Sequence, residues 1–306
     1  TPLEAGPLTG FICGCVVFAS VAGAQPVSVT DDRGRTVTLA RPAQRIVTLA
    51  PSLAELAYAA GAGGRLVGVA RFSHFPPAAR DIPRIGDAVR VDFERIVTLK
   101  PDLVLAWRSG NSAADIERLE RLGLPTHVSE PRRLGDIPRQ LRAIGALAGT
   151  APDAEKAAAG FEREIGELRS RHASARKVRV FYEIWRKPLM TVSGAHLISD
   201  VIALCGGENV FADVSQLTPT VSLEAVIAAK PEAILGGGSA DGEKEFTVQW
   251  RESAVQPLRE LPAYYVNPDR IQQATPRIVD GARAVCSALE QVRNNRQDAE
   301  RNKKNN

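Results

Sequence analysis

The feature that most constrains this chain is a segment that occurs twice. Residues 91–106 read VDFERIVTLKPDLVLA and residues 221–235 read VSLEAVIAAKPEAIL. Set on their Lys-Pro pairs, Lys100-Pro101 and Lys230-Pro231, both run from a polar cap (Asp92, Ser222) through an acid two residues on (Glu94, Glu224) into a short apolar helix. Proline stops each helix, and Asp102 or Glu232 then opens an apolar, strand-like run. A unit that returns 130 positions later describes two similarly built lobes, not one sheet.

The longest helical pattern lies between the echoes, from Thr150 to Ala173. Ala154, Ala158, Phe161, Ile165 and Leu168 fall on one face of it. Thr150 and Asp153 have the spacing of a capping box, with Pro152 in the first turn. Such a helix spans roughly 30 Å. On the N-terminal side a hairpin turning at residues 31–34 leads into strands at 45–49, 66–69, 103–106 and 126–128. These alternate with helices at 52–60 (capped by Ser52), 93–99, 113–122 and 134–147. The other side repeats the alternation: strand 178–182, helices 196–204 and 223–229, strands 233–235 and 264–266, and helix 277–292. Strands separated by helices of about ten residues predict parallel βαβ units. The expected organisation is an α/β lobe over 25–149, a connecting helix over 150–176, a second α/β lobe over 177–291 and a charged, unordered tail over 292–306.

Residues 11–24 (FICGCVVFASVAGA) are apolar and uncharged and close on a small-x-small site, which predicts a secretory leader over 1–24, although no Met, Lys or Arg precedes them. Cys13 and Cys15 fall inside that leader. Cys205 and Cys286 are left for the mature chain, either as one disulfide closing a long loop or as two unrelated buried thiols. With 44% hydrophobic and 24% charged residues the chain can bury a sizeable core, and no apolar run reaches the ~18 residues of a membrane span. The net charge of +4 is concentrated in the tail, where Arg293, Arg296, Arg301, Lys303 and Lys304 face only Asp298 and Glu300. A near-neutral body argues against a nucleic-acid partner.

No catalytic constellation is visible. The stretch 236–242 (GGGSADG) is followed by Glu243-Lys244 and so fails as a P-loop; Asp241 also breaks both GxGxxG and GxSxG. The histidines (His74, His127, His172 and His196) form no HExxH and no close pair. His74 and His196 are the candidates for a zinc site between the lobes, were the protein an exported metalloenzyme.

From about Arg45 to Leu289 the sequence resembles the substrate-binding proteins of ABC importers for cobalamin, haem and iron siderophores, most of all the cobalamin binders. The likeness is carried by Arg45-Ile-Val-Thr-Leu-Ala-Pro-Ser-Leu-Ala-Glu55, Val67-Gly68-Val69, Ser73-His74-Phe75-Pro76-Pro77 and the stretch from Glu94 through Trp107-Arg108-Ser-Gly-Asn111. It continues in Cys205-Gly-Gly-Glu-Asn-Val-Phe211 and Ala274-Thr-Pro-Arg277-Ile278.

The resemblance implies a class III periplasmic binding protein, with two α/β lobes on one long helix, a ligand cleft between them and little closure on binding. It implies a Cys205–Cys286 disulfide and docking of Glu94 and Glu224 onto arginines of the importer's permease. The ligand-binding set it implies is Ser52, Phe72, Trp107, Trp185, Asp269, Arg270, Ile271, Gln272 and Gln273. Trp107 matches a cleft tryptophan, Phe72 stands where the cobalamin binders carry tyrosine, and Trp185 lies near a third aromatic position. Residues 269–273 match a ligand-contacting loop of which only the Asp is retained, and two further tryptophans are replaced by Ala88 and Thr218. The expected function is capture of cobalamin or a related corrinoid in the periplasm by a monomer, as cargo for an ABC importer, with no catalysis, cofactor or metal. Haem, with His74 as an axial ligand, or a ferric siderophore, held by Arg71, Arg108 or Arg270, are the alternatives within the family.

Overall fold

The computed structural model describes residues 26–87, 90–237, 242–253 and 255–305. The expected leader with Cys13 and Cys15, Ala88, and residues 238–241 of the glycine-rich stretch lie outside the described residues. The chain opens with an antiparallel hairpin, β1 (Val27–Thr30) and β2 (Thr36–Leu39). There follow β3 (Ile46–Thr48), α1 (Pro51–Ala59), β4 (Leu66–Val69), α2 (Phe93–Thr98), β5 (Leu103–Trp107), α3 (Ala113–Arg121), β6 (Thr126–Ser129) and α4 (Asp136–Ala148). The long helix α5 (Ala151–His172) leads to β7 (Val178–Glu183), α6 (Leu197–Leu204), β8 (Gly207–Asn209), α7 (Leu223–Ala228) and β9 (Ala233–Gly236). The chain continues through α8 (Glu243–Arg251), α9 (Gln256–Arg259), β10 (Ala263–Tyr265), α10 (Pro268–Ile271) and α11 (Ile278–Asn305).

Two four-stranded parallel sheets flank α5 in sequence, ordered β4-β3-β5-β6 and β8-β7-β9-β10. The two orders are the same once β3 is matched to β7 and β5 to β9. The expectation of two similar α/β lobes on one helix therefore holds, and the repeat extends to individual hydrogen bonds. Asp92 and Ser222 cap α2 and α7, accepting from the amides of Arg95 (3.0 Å) and Ala225 (3.2 Å). Lys100 and Lys230 end the two helices in the left-handed region, at φ +46° and +47°. The carbonyls exposed there are taken by an arginine at each matched strand: Arg45 donates to Leu99 and Lys100, and Arg179 to Ala229 and Lys230. The acids after the prolines close the motif, Asp102 accepting from the Arg45 amide at 2.8 Å and Glu232 from the Arg179 amide at 3.0 Å. Orphan helix-end carbonyls and an unpaired strand entry are thus satisfied together in both lobes.

Helix α5 buries Ala154, Ala158, Phe161, Ile165, Leu168 and His172, the expected stripe with His172 added. One apolar cluster runs from the first lobe through this stripe into the second. Ion pairs fasten the helix on both sides, Arg142 of α4 to Glu155 and Glu162, and Arg283 of α11 to Glu164. Being exposed, they register the helix more than they stabilise it. A disulfide joins Cys205, at the end of α6, to Cys286 in α11.

Three sequence expectations are corrected. Ser52 does not cap α1: the helix starts one residue earlier, with Pro51 in its first turn and Ala50 at the cap position. The capping box at Thr150 does not form, because the Thr150 hydroxyl donates instead to the Ala60 carbonyl at 2.6 Å, tying the start of α5 to the end of α1. The tail continues α11 to Asn305. Arg293 reaches the carbonyls of Arg176, Cys205 and Gly206, and Arg296 pairs with Glu232 and Glu300, so these basic residues have partners in the second lobe and along the helix. No helix among the described residues is long and apolar enough to cross a membrane.

Side chains also bridge the lobes directly. Arg277, ahead of α11, donates through two nitrogens to the carboxylate of Glu55 in α1 while its guanidinium lies 3.9 Å from the Phe75 ring centroid. Asp200 of α6 accepts from the Leu134 amide at 2.8 Å, with Arg133 beside it. Glu55 is only 6% exposed, so losing its partner strands a charge. Arg277→Met should lower unfolding stability in urea by roughly 3 kcal/mol. An unchanged midpoint would show that the pair does not hold the lobes together.

Candidate functional site

Parallel α/β sheets gather ligands at the carboxyl ends of their strands, and the first lobe follows that rule. The chain leaving β3 enters α1 through residues 50–53, β5 ends on Trp107 and β6 on Ser129, and all three ends line one cleft with Pro131 and Arg132. The second lobe closes it with residues 195–197 at the start of α6, with Leu217, and with residues 272–274 after α10. The cavity is about 200 Å³ and opens to solvent. The lining is mostly apolar with a few converging polar groups, the usual make-up of a small-molecule site.

Trp107 is held from below. Its amide donates to Asn111 Oδ1 at 2.8 Å, and buried Asn111 donates in turn to the Leu49 carbonyl at 3.1 Å, which ties β5 to β3. Glycine at residue 110 leaves room for the indole, since a Cβ there would come within 1.8 Å of it and push the ring aside. Trp107 remains 39% exposed. At the floor, Ser129 donates to Gln140 Oε1 at 2.9 Å, and Gln140 donates to Asp32 at 2.7 Å. His127 completes the group through Gln140, and its burial holds the imidazole below its ordinary pKa. On the opposite wall His196 caps α6, its Nδ1 accepting from the Ile198 amide, and burial lowers its pKa to about 4. Beside the cleft, a polar bay lined by Asp32, Arg108, Glu130, Arg132, Asp136 and Arg139 shares Ser109, Glu130 and Arg132 with it.

Of the expected ligand-binding residues, Ser52, Trp107, Gln272 and Gln273 come together on the cleft lining. Phe72 and Trp185 stand outside that lining, but they are 64% and 55% exposed, high for such large rings. Phe72 sits at φ +68°, a strained position for a bulky residue, in a turn where the buried Ser73 hydroxyl donates to the Ala70 carbonyl and the Arg71 amide to Gly86. Asp269 is exposed, Arg270 is paired with Asp280, and Ile271 is fully buried in the core, so its side chain cannot reach the cleft without rearrangement. Glu94 and Glu224 occupy the same place in equivalent helices, exposed and with no ion pair among the described residues. For the zinc alternative, no group of three or more His, Cys, Asp or Glu side chains suited to a metal occurs among the described residues.

The sequence did not reveal the Glu55–Arg277 bridge or the Ser129–Gln140–Asp32 floor, and it offered His196 between the lobes only as a zinc candidate, not as a helix cap on the cleft wall. The bridge left a trace, as an acid inside an otherwise apolar helix.

The profile described as periplasmic binding protein matches residues 46–254. The vitamin B12-binding protein of Vibrio parahaemolyticus is 34% identical over 255 residues, covering 83% of this chain and 92% of that protein. That of Pectobacterium carotovorum is 38% identical over 248 residues, covering 80% and 88%. Among solved structures, the periplasmic vitamin B12 binding protein BtuF of Vibrio cholerae superposes with a TM-score of 0.73 at 35% identity, over 82% of this chain and 98% of that one. A match that runs through the first lobe and the connecting helix into the second, with relatives at this level of identity, makes the chain a member of the periplasmic binding protein family.

Proposed function

We propose that this protein captures cobalamin or a related corrinoid in its interlobe cleft, in the periplasm, and delivers it to an ABC importer without altering it. The observation that carries the reading is the cleft itself. A flat, partly apolar ring edged with amides needs an aromatic face and separated hydrogen-bonding groups. Trp107 supplies the face, and Ser52, Gln272, Gln273 and the floor around Ser129 supply polar groups. Phe72 and Trp185, exposed beyond the lining, would cover the parts of the ligand that project from the cleft. Relatives at 34–38% identity named vitamin B12-binding protein favour the same ligand class. A ferric siderophore or haem is the second reading, and Arg108 and Arg132 in the polar bay are what favour it, since both ligands carry anionic groups.

The ligand is identified by titrating the protein separately with cyanocobalamin, haemin and a ferric siderophore and following visible absorption. Saturable binding of cyanocobalamin is expected, and Trp107→Ala should weaken it about tenfold, as should Gly110→Ala, which displaces the indole without removing it. Tight binding of haemin or the siderophore with none of cyanocobalamin would replace this reading with the second.

Delivery would use Glu94 and Glu224, matched carboxylates on the two lobes that meet basic residues of a permease. Reversing both charges (E94K with E224K) should leave corrinoid affinity in solution unchanged and abolish uptake in reconstituted vesicles containing the cognate importer. Undiminished uptake would exclude the docking role.

A further inference from the structure

His196 stands on the second lobe's wall of the cleft, immediately ahead of α6. Its backbone is extended, as a helix cap requires, and its Nδ1 accepts a hydrogen bond from the Ile198 amide at 3.1 Å. Histidine is an unusual choice there, where Ser, Thr, Asp or Asn normally serves. The choice has a chemical consequence. A ring nitrogen that accepts from an amide must carry a free lone pair, so in the neutral imidazole the proton sits on Nε2. That N–H has no hydrogen-bond partner among the described residues, and the side chain is only part-buried. Gln273 lines the same wall, but its Oε1 is buried, so the exposed polar atom there is the imidazole N–H. The wall thus keeps a free donor, the complement of a carbonyl oxygen such as that of a carboxamide.

We propose that His196 is a specificity-determining residue of the cleft, a fixed Nε2–H donor that reads a carbonyl oxygen on the carboxamide-bearing rim of the bound ring and not an axial ligand to its metal. The identity of the rim rests on the corrinoid reading above; the tautomer rests on the helix cap alone. Ligating a metal through Nε2 needs the lone pair on that atom and the proton on Nδ1. The Nδ1 proton would then meet the Ile198 N–H head to head, and α6 would lose its cap. Burial keeps the imidazole's pKa down at about 4, and the positive end of the helix acts in the same direction. No acid or base pairs with the ring among the described residues: Glu130 and Arg132 line the facing wall, and Asp200 of its own helix is taken by Leu134 and Arg133. The donor therefore stays neutral and in place across the pH range in which a free histidine would titrate.

The tautomer is read in the ligand-free protein from long-range proton–nitrogen NMR spectra of the imidazole. A protonated Nε2 and a bare Nδ1 are expected, unchanged from about pH 8 to about pH 5.5. A proton on Nδ1, or a ring that titrates near its ordinary value, would overturn the proposal. His196→Asp keeps an acceptor for the Ile198 amide and removes the donor. It should leave the thermal midpoint unchanged while weakening cyanocobalamin about tenfold; affinity equal to that of the unaltered protein would count against the donor role. With haemin, the axial-ligand bands of the unaltered protein and of H196D should coincide, and bands lost in the variant would make His196 a ligand. If the unaltered protein binds no corrinoid, the proposed function fails, while the tautomer still decides between donor and ligand.

Discussion

The arrangement depends on α5. It is one continuous helix whose buried apolar stripe, from Ala154 to Leu168, belongs to the same apolar cluster as both lobes. Bending it would break backbone hydrogen bonds and expose that stripe, at about 25 cal/mol for each Å² of apolar surface returned to water. A hinge of extended strands carries no such cost. Arg277 gripping Glu55 on one side and Asp200 holding the Leu134 amide on another oppose a change in lobe separation. The cleft is therefore formed before any ligand arrives, and binding need not supply the free energy of a large closure.

Much of this fold was legible because its two signals are local. Alternating strands and helices of ordinary length, and a repeat marked by Lys-Pro, reveal the sheets, the lobes and the connecting helix. What stayed hidden was non-local. Arg45 and Arg179 cap helices that end some fifty residues further on (Leu99 and Ala229), and nothing near either arginine marks that use. Thr150 has the form of a cap, but its hydroxyl finds the Ala60 carbonyl, which lies 90 residues earlier. The composition of the tail suggested disorder because charge counts do not reveal that Arg293 and Arg296 have acceptors waiting in the second lobe.

The site divides in the same way. Ser52, Trp107, Gln272 and Gln273 reach the cleft because they follow strand or helix ends, where topology and resemblance agree. Ile271 shares a loop with two of them and yet points into the core, since neighbours on a short helix face different ways. His196 stood out in the sequence only as half of a possible zinc pair with His74, not as a helix cap. Its meaning lies in the amide of Ile198, which fixes its proton, and in the wall it shares with Gln273.

The most direct measurement is a pair of crystal structures, without ligand and with cyanocobalamin. The ring is expected between the Trp107 wall and the His196 wall, with α5 straight, the Glu55–Arg277 pair intact in both, and backbone shifts of about 1 Å or less. A ring bound on an outer face, or lobes that swing apart with that pair broken, would contradict that expectation.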